Sequence, residues 1–543
     1  MEQNFPENLP QNTQINPLTY VKPIKDSIFI NPLTEQDTFN YIRNLDSNKS
    51  TKSDSPPIKF IKLSAHIIAP IITKIFNSCI ANGVFPDRLK SAEVIPIFKK
   101  GDKTKLTNWR PISLLSPFSK IFERHLHNQI IQFLNKHNII HEQQYGFREN
   151  KSTELALTQI SNELSQNTQN GYFTCSVFVD LAKAFDTVDH SILLSKLQNY
   201  GIRGTPFQLL SSYLHDRNQK TIINNKHSNT EKITCGVPQG SILGPLLFNL
   251  YINDIVNVSL FTTRLFADDA CFTYSLKDPI LLQTTVNNEI NKINTWLKTN
   301  KLSANYSKTN YIIFNNKKKD NHKFNITMEY YQLQRVSEIK YLGVIVDEKL
   351  NWQRHIELIK TKISRASYIL SKLRHYVNLN TLKLTYYNLV YPYLNYCITV
   401  WGGVAKTKLQ PLINLQNKIL RIITKSSYTS SARPLFIKLN FLPLTQIYQN
   451  NLSILLYKII HNNLTTTYNL QQIDQIHQHN TRLASNSNFY QQFNKTNLGK
   501  STCVHQGLQY WRKIPSEIKT LPFHLFKKRL KLYLLNYFKE NIS

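Results

Sequence analysis

Two carboxylates, Asp268 and Asp269, stand side by side inside the apolar run "TTRLFADDACFTYS". Adjacent anions repel, and apolar surroundings raise the cost of keeping either one charged. The pair therefore needs compensation, from a turn open to water or from a bound cation. Asp is a common turn residue, and the alternating apolar flanks fit two short strands joined at Asp268 and Asp269. A hairpin with an acidic tip and a metal site are both consistent with these residues alone.

A metal site needs a further acid. Asp180 closes the apolar, β-branched run "YFTCSVFVD", and a strand end beside a hairpin is where a third carboxylate can face the first two across a sheet. Two divalent ions bridged by such acids activate a hydroxyl, bind a leaving oxygen and steady the charge of an in-line phosphoryl displacement. Magnesium suits that task, because it takes hard oxygen ligands and combines few protein carboxylates with substrate phosphates. The competing reading is that Asp180 simply N-caps the next element of the chain. A third stretch bears on the choice. "CGVPQGSILGPLLF" packs Gly236, Pro238, Gln239, Gly240 and Gly244 into a short span of a chain with only 14 glycines. Such glycines let a backbone approach another backbone or a nucleotide, and a helix starting after Gly240 would present its N-terminus nearby.

Composition narrows the partners. The 543 residues are 41% hydrophobic, enough for a large core divided among several domains. The formal charge of +32, from 66 Lys and Arg against 34 Asp and Glu, predicts salt-sensitive attraction to a polyanion. Nucleic acid leads, with an anionic membrane surface second. No apolar run approaches the roughly 20 residues that span a bilayer, and the opening "MEQNFPENLPQNTQ" lacks the regions of a secretion signal. An intracellular protein is expected. Its six cysteines are scattered singly without a Cys-x-x-Cys pair, so no zinc site is expected.

Along the chain, residues 1–26 are rich in Asn, Gln and Pro and read as a disordered arm. Residues 60–90 have helical periodicity ending at Gly83, "EVIPIFKKGD" reads as a strand entering a basic turn, and "SPFSKIFERHLHNQIIQFLNKHN" as an amphipathic helix. "HSILLSKLQNYGI", "SILGPLLFNLYIND" and residues 280–300 read as helices, "YIIFNN" and "YLGVIVD" as strands, and the chain beyond 355 as mainly helical.

Taken in order, "FVDLAKAFDTVDH", "GVPQGSILGPLLFNLYIND" and "FADD" resemble the palm motifs of reverse transcriptases from non-LTR (LINE-type, Jockey-like) retrotransposons. The likeness extends upstream through "VIPIFKKGDKTKLTNWRPISLL" and "QYGFRENKSTELAL" and downstream through "LSANYSKTNYIIF", "YLGVIVDEKLNW" and "YWRKIPSEIKTLPFHLFKKRLKLYLL". It implies an α+β right-hand polymerase, with fingers, a palm built on a small antiparallel sheet packed by helices, and a helical thumb and C-terminal region. The implied divisions are 27–170 for an N-terminal extension and fingers, 171–350 for the palm with its primer grip, 351–430 for thumb and connection, and 431–543 for a helical region of unknown role.

Carried over by residue, the resemblance makes Asp180, Asp268 and Asp269 the catalytic carboxylates and ligands of two Mg²⁺ ions, with Mn²⁺ as a substitute. It implies that Phe185 gates against the ribose 2′-hydroxyl, that Arg110 with Lys99 or Lys100 meets the incoming triphosphate, and that Leu181, Gln239 and Gly240 line the dNTP and nascent base pair. Lys308 would protonate the leaving pyrophosphate, and Tyr341, Leu342 and Gly343 would grip the primer. The implied partners are an RNA template, a DNA primer or nicked target DNA, and dNTPs, with nuclear localisation if integration occurs. Full-length relatives carry an endonuclease, for which residues 1–26 are too few. The expectation is a fragment, or a protein that uses nicks made elsewhere. A non-catalytic nucleic-acid-binding remnant of a mobile element is the alternative.

Overall fold

The computed structural model describes residues 15–316, 322–461, 489–490, 494 and 496–540. In chain order its strands begin with β1 (Ser91–Phe98), β2 (Trp109–Leu114), β3 (Phe173–Asp180), β4 (Arg217–Ile223), β5 (Lys226–His227) and β6 (Glu231–Ile233). There follow β7 (Thr262–Phe266), β8 (Asp269–Leu276), β9 (Asn310–Phe314), β10 (Thr327–Met328), β11 (Tyr331–Gln332), β12 (Gln334–Arg335), β13 (Glu338–Tyr341) and β14 (Val344–Asp347).

The central sheet runs β12-β9-β3-β8-β7. Every residue of β3 except Asp180 is buried, which is why its sequence is continuously apolar rather than alternating. Successive side chains of a strand point to opposite faces, so this sheet separates two cores. Cys175, Val177 and Val179 join a core with the helices Pro117–Lys136, His190–Asn199, Leu243–Ile252 and Pro279–Thr299. Phe178 joins the other, with the helices Thr153–Gln169 and Gln353–Leu373 and the fully buried Trp401. The expected antiparallel sheet is in fact mixed: β3 is antiparallel to both β8 and β9, whereas β12 is parallel to β9.

A second sheet is interleaved with it in sequence, β1 and β2 preceding β3 and β4–β6 lying between β3 and β7. β1 and β2 form an antiparallel hairpin with Ile97 opposite Arg110, and β4 adds in parallel on the other edge of β1. Beyond Gln353 the chain is helical as expected, with Gln353–Leu373, Lys406–Thr424, Leu444–Ile460, Cys503–Lys513 and Phe523–Glu540 as the longer helices.

Three expectations change in detail. The arm predicted for residues 1–26 is packed from residue 15 onward: Val21 is buried in the first core, and the Ile24 and Ile28 amides donate to the carbonyls of Asn199 and Gly201. Residues 1–14, like 317–321 and most of 462–495 within the C-terminal region, lie outside the described residues. The helix over 60–90 divides into Ile58–Leu63 and Ala65–Asn82, the second closed by Gly83 at φ +65°, as its C-cap requires. "YLGVIVD" is a hairpin rather than one strand, turning at Leu342 and Gly343, both at positive φ. Among the described residues no helix is long and apolar enough to cross a membrane.

Candidate active site

The opposing ends of β3 and β8 bring the acids together. Asp180 pairs with Asp269 in register across these strands, and Phe266 pairs with Asp269 across β7 and β8. The hairpin therefore turns on Ala267 and Asp268, one residue earlier than the sequence suggested, and Asp269 opens β8. Ala267 has φ +55°, the left-handed value that two-residue hairpin loops need to match strand twist. On the other side, Asp180 is tied to the segment after the helix Pro279–Thr299. The Asn305 amide donates to the Asp180 carbonyl at 2.7 Å, the Ala182 amide donates to Ser303, and Leu181 bridges Ala304 with its side chain buried. This connection sets the Lys308 Nζ 3.6 Å from the Asp180 Oδ2.

The three carboxylates share one electrostatic field. Burial and repulsion from Asp268 and then Asp180 push the Asp269 carboxyl up from its ordinary 3.8 to about 6. Asp268 is raised as well, by burial and by Asp180, while Arg110 and Lys99 pull it back. Those two cations come from β2 and from the residue following β1, so the outer hairpin faces the acidic turn. Lys100 is exposed and has no contact tying it to the aspartates among the described residues. Among those residues no three His, Cys, Asp or Glu side chains close into a complete ligand set. The donors that do converge are carboxylate oxygens held at a cost by neighbouring negative charge. That is the chemistry of a hard divalent cation site, to which Asp180, Asp268 and Asp269 would be the ligands.

Beside the acids, two loops are zipped together. Phe185 stacks on Phe248 at 4.3 Å between ring centres and meets Phe147 edge-on, and its carbonyl accepts the Val237 amide. The Gly236 amide donates to Val188, and the buried His190 Nε2 donates to the Gly236 carbonyl at 2.8 Å. Gln239 donates its side-chain amide to Asp186 at 2.8 Å and accepts the Ser113 amide of β2 on its own carbonyl. Gly240, at φ +134°, lies so close to Ser113 that a Cβ would strike the Ser113 carbonyl oxygen. The glycine cluster thus serves backbone-to-backbone approach. The helix N-terminus expected nearby is occupied: the helix Leu243–Ile252 has its first amides, Ile242 and Leu243, bound to the buried Glu123 carboxylate.

Tyr341 is buried against Phe178, and burial, Cys271 and Asp269 together raise its phenol. The turn it leads into is held from the helical side, with the Tyr396 hydroxyl donating to the Leu342 carbonyl at 2.7 Å. Sequence reading missed what supports the acidic hairpin. Residues 143–146 run alongside β7: the Tyr145 amide donates to Leu265, and the Leu265 amide donates to Gln143. The buried Gln144 side chain accepts from the Gly146 amide, and Gly146 abuts the nitrogen of Ala267 at the turn. Beneath, Arg264 pairs with Glu163, and the Tyr145 hydroxyl with Gln159. "QYGFR" signalled this only through a glycine in a glycine-poor chain.

A sheet end carrying clustered aspartates and faced by a cationic hairpin could hold a divalent cation and a phosphorylated ligand. Residues 97–346 match the family model of the reverse transcriptase (RNA-dependent DNA polymerase). The probable RNA-directed DNA polymerase from transposon BS of Drosophila melanogaster is 28% identical over 421 residues, covering 75% of this chain and 46% of that protein. The RNA-directed DNA polymerase from mobile element jockey of Drosophila funebris is 28% identical over 424 residues, 76% of this chain and 46% of that protein. A Pol polyprotein from the type-1 retrotransposable element R2 of Popillia japonica is 30% identical over 160 residues, 29% of this chain and 22% of that one. Through residues 97–346 the chain is similar to reverse transcriptases, and over a longer stretch to the RNA-directed DNA polymerases of jockey-like mobile elements. It spans about half the length of the curated relatives it matches.

Proposed function

We propose that this chain synthesises DNA on an RNA template. The 3′-hydroxyl oxygen of a primer attacks the α-phosphate of a dNTP, the bond to the β-phosphate breaks, and pyrophosphate leaves. The observation that carries the reading is the convergence of Asp180, Asp268 and Asp269 at one sheet end, with Arg110 and Lys99 of the outer hairpin facing Asp268.

On this reading the central sheet is the palm, the β1–β2 hairpin belongs to the fingers, and the helix Gln353–Leu373 opens the thumb. That helix exposes Lys360, Lys362, Arg365 and Lys372, which suits contacts to a duplex backbone that position it without reading its sequence. Two bound Mg²⁺ ions would supply Lewis-acid stabilisation of the phosphoryl charge. The chain's own residues do the positioning. Arg110 offers a planar fork of donors to the triphosphate, and Lys99 adds charge. The ring of Phe185, stacked on Phe248 and edge-on to Phe147, is the gate that would crowd a ribose 2′-hydroxyl. Lys308 near Asp180 is the donor for the departing pyrophosphate.

The test is extension of a DNA primer on an RNA template with Mg²⁺ and dNTPs, comparing the parent chain with Asp268→Ala/Asp269→Ala. Extension by the parent alone is expected. Duplex binding by both with extension by neither would replace the enzyme with a nucleic-acid-binding remnant.

A further inference from the structure

Asp186 lies next to Phe185, yet the polymerase chemistry gives its carboxylate no task. It is half-buried and takes the Gln239 side-chain amide at 2.8 Å. Burial raises its carboxyl, which the Gln239 hydrogen bond and the charges of Lys183 and Lys99 oppose. Desolvating a carboxylate is costly, so a neutral side chain would serve better if the only need were to hold a loop.

The loop does not need it. The backbone of residues 236–240 is already fastened at four points: Gly236 to Val188, Val237 to Phe185, His190 to the Gly236 carbonyl, and Ser113 to the Gln239 carbonyl. A fifth contact, the Cys235 thiol on the Asp186 carbonyl, uses the backbone of Asp186 and leaves its side chain aside. What the Asp186 carboxylate adds is the orientation of one side chain. A carboxylate only accepts, so it compels the NH₂ end of the Gln239 amide to face it. With its NH₂ end on Asp186, the Gln239 amide oxygen is the end left for another donor, and no hydrogen bond to it is found among the described residues.

We propose that Asp186 is a positioning residue that presents Gln239 to the nascent base pair and thereby sets the affinity for the incoming dNTP. The proposal rests on the polymerase reading above. It acts through binding rather than through the chemical step, and so predicts a particular kinetic pattern.

The experiment is steady-state single-nucleotide extension on an RNA template with a DNA primer, giving kcat and KM for the dNTP. It compares the parent with Asp186→Ala, Asp186→Asn, Gln239→Ala and the Asp186→Ala/Gln239→Ala double variant. Losing a hydrogen bond to a charged group is expected to raise KM about tenfold in Asp186→Ala, with kcat reduced less than about threefold. Because Asp186 acts through Gln239, the double variant should be no worse than the poorer single one. Asp186→Asn keeps an oxygen that can accept the Gln239 amide but adds a donor that can turn it, so its KM is expected between those of the parent and Asp186→Ala. It also serves if the alanine variant folds poorly. Multiplying effects in the double variant, a defect confined to kcat, or Asp186→Asn as impaired as alanine would each overturn the positioning role. A parent that does not extend at all overturns the polymerase reading itself, an outcome distinct from any of these.

Discussion

Neutralising Asp269 should make the metal-free protein more stable while abolishing its activity. Its carboxyl is raised from 3.8 to about 6 by burial and by the charges of Asp268 and Asp180. A displacement of that size corresponds to about 3 kcal/mol at full strength. Because the Asp269 side chain, though crowded by the other two acids and the surrounding protein, reaches solvent at the sheet end, screening reduces this by roughly half, to about 1.5 kcal/mol. The sign follows from linkage. With a folded value above the unfolded one, the stabilising contribution is fully present below about pH 4 and is lost as pH rises through about 6. Asp269→Asn does not titrate, so the two proteins should match near pH 4 and diverge above pH 6, with the variant the more stable. In a chain of this size that difference amounts to about 1–2 °C in Tm. The assay is thermal unfolding of parent and variant in chelator at low salt across that range, repeated with Mg²⁺. If the three aspartates hold Mg²⁺ as proposed, Mg²⁺ should raise the parent's Tm and narrow or reverse the gap, because the variant has lost one of the three carboxylates. A gap that does not change between acid and neutral pH in chelator would refute the shared field.

Two substitutions test the surroundings. Phe185→Ala removes the ring between Phe248 and Phe147 and should lower dNTP-over-rNTP selectivity roughly tenfold in competitive single-nucleotide incorporation. Unchanged selectivity would remove Phe185 from the gate. Gly146→Ala places a Cβ against the Ala267 nitrogen and should cost about 2 kcal/mol by urea unfolding, with extension falling disproportionately because the strain lands on the acidic turn. A stable, fully active variant would show that the turn tolerates movement.

Much of the candidate site's geometry was legible because it lies at strand ends. The continuously apolar β3 announced a strand buried on both faces, and its terminal Asp180 announced an acid at the end of a central strand. Alternation around Asp268 and Asp269 announced the hairpin, although periodicity alone could not place the tip on Ala267 and Asp268, because Ala267 carries no turn preference of its own. The same weakness turned the "YLGVIV" hairpin into one strand: its apolar residues fit either reading, and only Gly343 hinted at a turn. Side-chain partners far apart in sequence were out of reach. Nothing in "FERHL" tells that Glu123 caps a helix that begins at Leu243, or in "AFDTV" that Asp186 meets Gln239.

The glycines show why the motifs travel together in the chain. Gly236 sits 2.7 Å, measured from an added Cβ, from the Asp186 carbonyl oxygen, Gly240 lies against Ser113 of β2, and Gly146 lies against Ala267 of the acidic turn. Each glycine belongs to one motif and is required by the backbone of another. A substitution in "GVPQG" is therefore felt first by the loop bearing Phe185 and Asp186 and by the hairpin bearing Arg110, before any nucleotide is present. The acids gain in the same way. Asp180 is fixed through its carbonyl by Asn305, and Asp269 through its pairing with β3 and β7, so backbone ladders hold the carboxylates in place despite their mutual repulsion. Placement by backbone means that the carboxylates need no side-chain hydrogen-bond network to stay in position; Lys308 beside Asp180 Oδ2 and the Asp268 amide on its own carboxylate are partners a bound cation would have to compete with.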